Sequence, residues 1–267
     1  MLLVNKGKSI GWNIDELKRS KENLGFNLIT VMSSILRSWN EDGSNEAISE
    51  KDKGLINKAY LGLYHDFHGL AIQIDLIEHL HMNRKGSTIH KDCLYVSQVI
   101  ENYFSNLRSI YDFMGSLLKL AVKKRLWGQF NFDSLNKLIE AVSNGKTVEK
   151  FPEKLNKQLL NIKDEFLYVR DRRDSIIHNG EIISVMTDES GYHIKSKCAS
   201  SGKEEIVPLF DYLAERTNNM FKFGESIAQI IFDEYNNEYG EIELLIVALE
   251  GVCIPKFIEF LDIRVEN

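Results

Sequence analysis

The chain predicts an all-α fold: an up-and-down bundle of about five long helices with a small β-hairpin insertion. Three observations predict it. Only three prolines, at 152, 208 and 255, punctuate 267 residues, so few helices are broken from within. Apolar residues recur at spacings of three and four over long stretches, which is the period of one helix face. Between 181 and 207 that period gives way to β-forming residues around a turn.

Residues 1–12 read as an irregular lead. A helix is predicted over 14–39, where Leu28, Met32, Ile35, Leu36 and Trp39 form one stripe. The polar run 40–52 reads as a loop. A second helix, 53–82, carries Tyr60, Tyr64, Phe67, Leu70, Ala71, Ile74 and Ile77, and 83–88 is a turn. The third helix, 90–126, is the longest, and its stripe from Val96 through Tyr103 and Ile110 to Ala121 suits a central bundle helix.

A short helix over 133–142 stops at Asn144-Gly145. A fifth, 152–178, opens on Pro152, whose fixed φ suits a first turn, and turns Leu155, Leu159, Ile162, Phe166, Val169 and Ile176 inward. Residues 181–187 and 192–198 flank Asp188-Glu189-Ser190-Gly191 as a hairpin, with 205–207 as a third short strand. The last long helix, 208–235, buries Leu213, Met220, Phe223, Ile227, Ile230 and Ile231. Residues 241–262 are strongly apolar and either complete the core or make a subunit contact. A single domain over 1–267 is expected, with 181–207 inserted and 241–267 as an apolar C-terminal segment.

Apolar residues at 43% and charged residues at 27% describe an ordinary globular protein rather than a disordered or fibrous one. The net charge of −6 supplies no global field to attract nucleic acid, so any RNA contact must come from local cations. Cys93, Cys198 and Cys253 are odd in number and widely spaced, with no disulfide or metal signature; a reducing cytoplasm is expected. The N-terminus shows no signal-peptide pattern and no run is long enough for a membrane span, so no membrane partner is expected.

The most informative stretch is Arg170-Asp171-Arg172-Arg173-Asp174-Ser175-Ile176-Ile177-His178-Asn179-Gly180, at the end of the fifth helix. Asn-Gly is a helix stop, so His178 falls in the last turn, where the helix dipole favours cations. At roughly 100° per residue, Asp171, Asp174 and His178 share one stripe with Ser175 beside them. Imidazole titrates near neutrality, and guanidinium groups grip phosphate by paired donors. Such a cluster has the groups to bind a phosphate and move a proton. The plain alternative is a surface ion-pair network with a satisfied histidine at a helix end.

Arg173-Asp174-Ser175-Ile176-Ile177-His178 resembles the signature of HEPN domains, an arginine, a polar residue, three further residues and a histidine. The resemblance implies an all-helical bundle and one of two activities. Many members are metal-independent ribonucleases of toxin–antitoxin and antiviral systems; others are non-catalytic RNA- or nucleotide-binding modules. It also implies a homodimer in which two motifs meet in one cleft, with an antitoxin protein as a further partner and no cofactor or metal. His178 would then act as general base or acid, Arg173 would stabilise the phosphoryl charge and Asp174 would orient the imidazole. Arg170, Arg172 and Asn179 would bind RNA. Arg172 also satisfies the loose spacing to His178, leaving open which arginine the motif uses. Arg84 and His90 match as well, across a loop-like Gly86-Ser87-Thr88.

Two other groups carry chemistry. His65, His68, Asp75 and His79 share an outer stripe of the second helix at spacings that can grip a metal, which keeps a metal-binding bundle open. The two pairs lie about 10 Å apart along the axis, however, too far for one ion, and a solvated or interfacial face is favoured. Lys123-Lys124-Arg125-Leu126-Trp127-Gly128-Gln129-Phe130 combines cations with aromatics, as single-strand binders do. It also suits an ordinary basic helix end followed by a turn, and that reading is favoured.

Overall fold

The periodic stripes fold into seven α-helices among the described residues: α1 (Asn27–Glu41), α2 (Glu50–Met82), α3 (Ile89–Leu117), α4 (Leu135–Ser143), α5 (Glu153–Asn161), α6 (Lys163–Asn179) and α7 (Leu209–Tyr239). The structure, a computed structural model, describes residues 3–5, 8–10, 27–41, 48–83, 89–129, 134–147, 150–180, 182–197 and 204–244. The fold is mostly helical with a small sheet, as expected. The helices are more numerous and less uniform than about five long ones: three run 29 to 33 residues and two only 9.

α3 is the central helix. Val96, Ile100, Tyr103, Phe104, Leu107, Ile110, Tyr111 and Met114 are fully buried along it, and α2, α4, α6 and α7 all pack on it. Burying each such side chain contributes about 1.5–3 kcal/mol. α2 lies close along α3 because Gly62 and Gly69 present no side chain: a methyl at Gly62 would strike the Phe113 ring, and one at Gly69 the Asn106 amide. α2 starts sharply because the Ser49 hydroxyl accepts the Asp52 N–H at 3.2 Å. α7 packs against α1 and α5, and Trp39 on α1 donates its indole N–H to the Tyr235 hydroxyl at 2.8 Å.

Two predicted helices are shorter than expected. The third was expected to reach 126, but α3 ends at Leu117 and the chain continues as two 3₁₀ turns, Leu118–Ala121 and Lys124–Gln129. Leu118, Leu120, Ala121, Val122 and Trp127 are all buried, and one straight helix cannot turn so many adjacent side chains inward. The fifth was expected to be continuous over 152–178, but it is divided at Ile162, which both ends α5 and begins α6. Leu155 and Leu159 are buried where α5 meets α4 and α7, whereas Phe166 and Val169 are buried where α6 meets α3.

The insertion is a three-stranded antiparallel sheet in the order β3–β4–β5, with β3 at Val185–Asp188, β4 at Gly191–Lys197 and β5 at Glu204–Pro208. Val185, Ile194 and Val207 stand in register, and Ile194 is fully buried. β3 rests on α3, while β4 and β5 rest on α7. The edge strand β5 carries Glu204, Glu205 and Pro208, which discourage pairing with another chain. At the N-terminus, where an irregular lead was expected, β1 (Leu3–Asn5) pairs antiparallel with β2 (Lys8–Ile10). Of the first predicted helix, 14–39, the part from Asn27 on is α1; residues 11–26 lie outside the described residues, as does the apolar segment beyond Leu244. No helix among the described residues is long and apolar enough to cross a membrane.

Candidate functional site

α6 carries the segment from Arg170 to Asn179, and Gly180 ends it. Gly180 takes the left-handed conformation, φ 64° and ψ 27°, and its N–H donates to the Ser175 carbonyl. Phe166 and Val169 anchor the inner face, and Ile176 continues it, partly buried against the core. Asp171, His178 and Asn179 are exposed, and Asp174 and Ser175 half-exposed. The predicted helix-end placement of His178 therefore holds.

The six candidate residues do not converge on one point. Arg173 Nη1 donates to Asp174 Oδ1 at 2.9 Å, so these two form a unit. Arg170 reaches across to α4, donating from Nη1 to Asn136 Oδ1 at 2.6 Å, and it also grips Asp171 Oδ1 through Nε at 2.9 Å and Nη2 at 2.6 Å. Arg172 is half-buried and turned towards α7, where its charge acts on Tyr212. Among the described residues neither His178 nor Asn179 has a side-chain hydrogen-bond partner, and both face outward. A single copy thus offers an accessible imidazole with a guanidinium–carboxylate pair at a different angle around the helix.

Earlier on α6, N-terminal to the motif, lies a polar cluster that sequence spacing did not single out. Glu165 and Tyr168 of α6 meet Tyr212, Glu215, Arg216 and Asn219 of α7. Arg216 Nη1 pairs with Glu165 Oε2, which also accepts Asn219 Nδ2 at 3.2 Å. The guanidinium stands 5.0 Å from the Tyr168 ring centre and 5.7 Å from that of Tyr212, a cation–π sandwich. Tyr168 and Tyr212 share a hydroxyl–hydroxyl hydrogen bond, and Tyr168 also lies 3.4 Å from Ser196 Oγ of β4. Burial pushes the Glu165 carboxyl up to about 7, against the pull of Arg216 and Asn219. The α6 and α7 partners are 44 to 54 residues apart, so only a carboxylate among Ile162, Phe166 and Val169 hints at the cluster from sequence.

The remaining groups are structural in geometry. On the β3–β4 turn, Asp188, Ser190 and His193 have the residue types of a nucleophilic triad. Asp188 Oδ1 and Ser190 Oγ, however, both lie 3.0 Å from the same His193 nitrogen, Nε2, whereas a triad needs them on opposite ring nitrogens. Asp188 Oδ1 also accepts the Ser190 N–H at 2.8 Å and hydroxyl at 2.6 Å, so the group locks the turn. These donors, Ser190 first and then His193, hold the Asp188 carboxyl well below the usual range.

On α2, His65 lies 3.4 Å from Asp66, His68 stands edge-on to Tyr64 at 4.5 Å, and His79 bonds with Asn83. Burial, then the charge of His65, lowers the His68 pKa. Among the described residues no three His, Cys, Asp or Glu side chains gather to hold a metal. In the basic segment, Trp127 is buried, its indole N–H donates to the Val122 carbonyl at 2.8 Å, and Lys119 lies 5.3 Å from its ring centre. That ring is core and has no open face for a base. The side chains of Lys124, Gln129 and Phe130 lie outside the described residues.

The molecule is a helical bundle with an inserted three-stranded sheet and an exposed Arg-Asp-x3-His helix end. No family model, curated protein or solved structure matches the chain.

Proposed function

We propose that the chain is a HEPN-like, metal-independent endoribonuclease of the toxin or antiviral kind, acting in the cytoplasm at a cleft between two copies of α6. The observation that carries the reading is His178, an exposed imidazole in the last turn of α6, five residues beyond Arg173, which is paired with Asp174. RNA cleavage without a metal needs a base to take the 2′-hydroxyl proton, an acid to protonate the 5′-oxygen as its bond to phosphorus breaks, and cations on the phosphorane. His178 suits the proton transfers and Arg173 the charge. Arg172 and Arg170, released from their present contacts, add cations for the RNA backbone, and Asn179 a polar contact.

Five residues of helix turn the chain through about 140° beyond a full turn, so one copy does not present Arg173 and His178 on the same face. Two copies related by a twofold axis set the imidazole of one towards the guanidinium of the other. Ile177 within the motif and Ile182 just beyond it, 49% and 71% exposed, give that contact its apolar part. An antitoxin protein covering this helix end is the partner such an enzyme needs.

A second reading, a non-catalytic RNA- or nucleotide-binding module, is favoured by one observation. Asp174 is held by Arg173, so within one copy no carboxylate orients the imidazole. RNA cleavage in chelator by the chain and by His178→Ala separates the two.

A further inference from the structure

The motif helix is held to α7 by a largely buried contact between Glu165 and Arg216 that is not fully satisfied. Glu165 Oε2 takes both donors, Arg216 and Asn219, while Oε1 is buried and has no partner among the described residues. Arg216 divides its guanidinium between Glu165 and Glu215, the latter at 2.8 Å, and its Nε is also buried without a partner. From α3, the Tyr111 hydroxyl reaches the same interior fully buried and unpartnered, while Tyr103 donates to the Leu213 carbonyl at 3.0 Å. Arg108 of α3 lies beyond Phe166, 4.6 Å from its ring centre.

We propose that Glu165 and Arg216 form a proton-operated latch between α6 and α7, closed while Glu165 is protonated and loosened when it ionises. An ionised carboxylate with one oxygen bare inside a protein is costly, and one guanidinium already shared with Glu215 does not offset that cost. A neutral carboxyl avoids it. Opening the latch returns Glu165 to water and to an ordinary proton affinity. The closed state therefore holds the proton more tightly, and by linkage the proton favours closure.

The charged groups facing Glu165 pull both ways, and burial outweighs them. From α7, Arg216 favours the ionised form and Glu215 opposes it. Tyr212 of α7 and Tyr103 and Tyr111 of α3 are kept neutral by burial. Arg108 is occupied by Asp112. With the carboxyl raised by burial from 4.5 to about 7, closure is fully favoured below the lower value and is progressively lost towards the upper. Glu165 lies thirteen residues before His178, about 20 Å along a rigid helix, so α6 carries the change to the motif. That consequence rests on the ribonuclease reading; the latch does not.

Hydrogen–deuterium exchange on the full chain from pH 5 to pH 8, corrected for intrinsic amide rates, tests it. In the wild type, protection of α6 falls roughly tenfold or more across this range. In Glu165→Gln, which cannot ionise, α6 stays protected throughout, while α1 keeps its wild-type response. Wild-type α6 protection that does not change with pH overturns the latch without recourse to any variant. So does a Glu165→Gln chain whose α6 loosens as the wild type does. If α6 responds as expected and RNA is not cleaved, the latch stands and the ribonuclease reading falls.

Discussion

Arg173 donates to Asp174 at 2.9 Å, so the carboxylate four residues before His178 is held by its own sequence neighbour and not by the imidazole. The contact is half-exposed, and ion pairs of that kind contribute about 0–1 kcal/mol. Asp174→Asn should therefore leave the melting temperature almost unchanged. If Asp174 swings to His178 when two copies meet, the same change should slow cleavage by roughly 10- to 100-fold, the usual effect of losing a group that orients a working histidine. Cleavage at the wild-type rate would remove Asp174 from the site.

Glu225, in the middle of α7, accepts the backbone N–H of Asn27 at 2.9 Å and also its side-chain amide, capping α1 from another helix. Glu225→Ala should cost about 1–3 kcal/mol, read as a lower denaturation midpoint. Glu225 and Glu165 are both raised by burial from 4.5 to about 7. A raised carboxyl contributes stability that is complete below its unfolded value and lost as pH rises through the folded one. Unfolding free energies from urea titrations should therefore fall between pH 5 and pH 8, by on the order of 3 kcal/mol per group at most, and the midpoints with them. Glu225→Gln should flatten part of that slope; a midpoint that rises over this range contradicts the account.

Trp127 is core, not a stacking platform. Trp127→Ala should destabilise the fold by about 3–5 kcal/mol. RNA should leave the Trp127 fluorescence unquenched, and Lys123→Ala and Arg125→Ala, both at exposed positions, should alter stability by less than about 0.5 kcal/mol. Quenching of Trp127 on RNA addition would reinstate the basic segment as a binding site.

The proposed cleft requires a dimer. Light scattering at micromolar concentration should give twice the chain mass, and Ile182→Glu, at a 71% exposed position beside the motif, should give folded monomers. A wild-type monomer under these conditions speaks against a two-copy site.

What the sequence made legible was local. The stripes of α2, α3 and α7 recur every three or four residues, and Asn179-Gly180 announces the end of α6 by itself. The end of α3 at Leu117 and the division at Ile162 were not legible. From 117 to 122 apolar residues crowd every face but that of Lys119, so periodicity stops choosing a direction, and around Ile162 the partner of the buried face changes from α4 and α7 to α3. The Arg173, Asp174 and His178 positions were readable because they sit within one helix end. Arg216 with Glu165, and Glu225 with Asn27, were not, because contacts across 51 and 198 residues leave no local spacing to read.

The most direct measurement is cleavage of single-stranded RNA in EDTA by the wild type, His178→Ala and Arg173→Ala, with circular dichroism melts of all three. Both residues lie outside the buried Phe166–Val169 face, so the variants should melt within a few degrees of the wild type. The wild type should cleave without metal, and each variant should be slower by roughly 10²-fold or more, the scale of a positioned acid–base group or charge stabiliser. Arg84→Ala should cleave as the wild type does. A folded His178→Ala chain that cleaves RNA as fast as the wild type would contradict the assignment of this helix end as the active site.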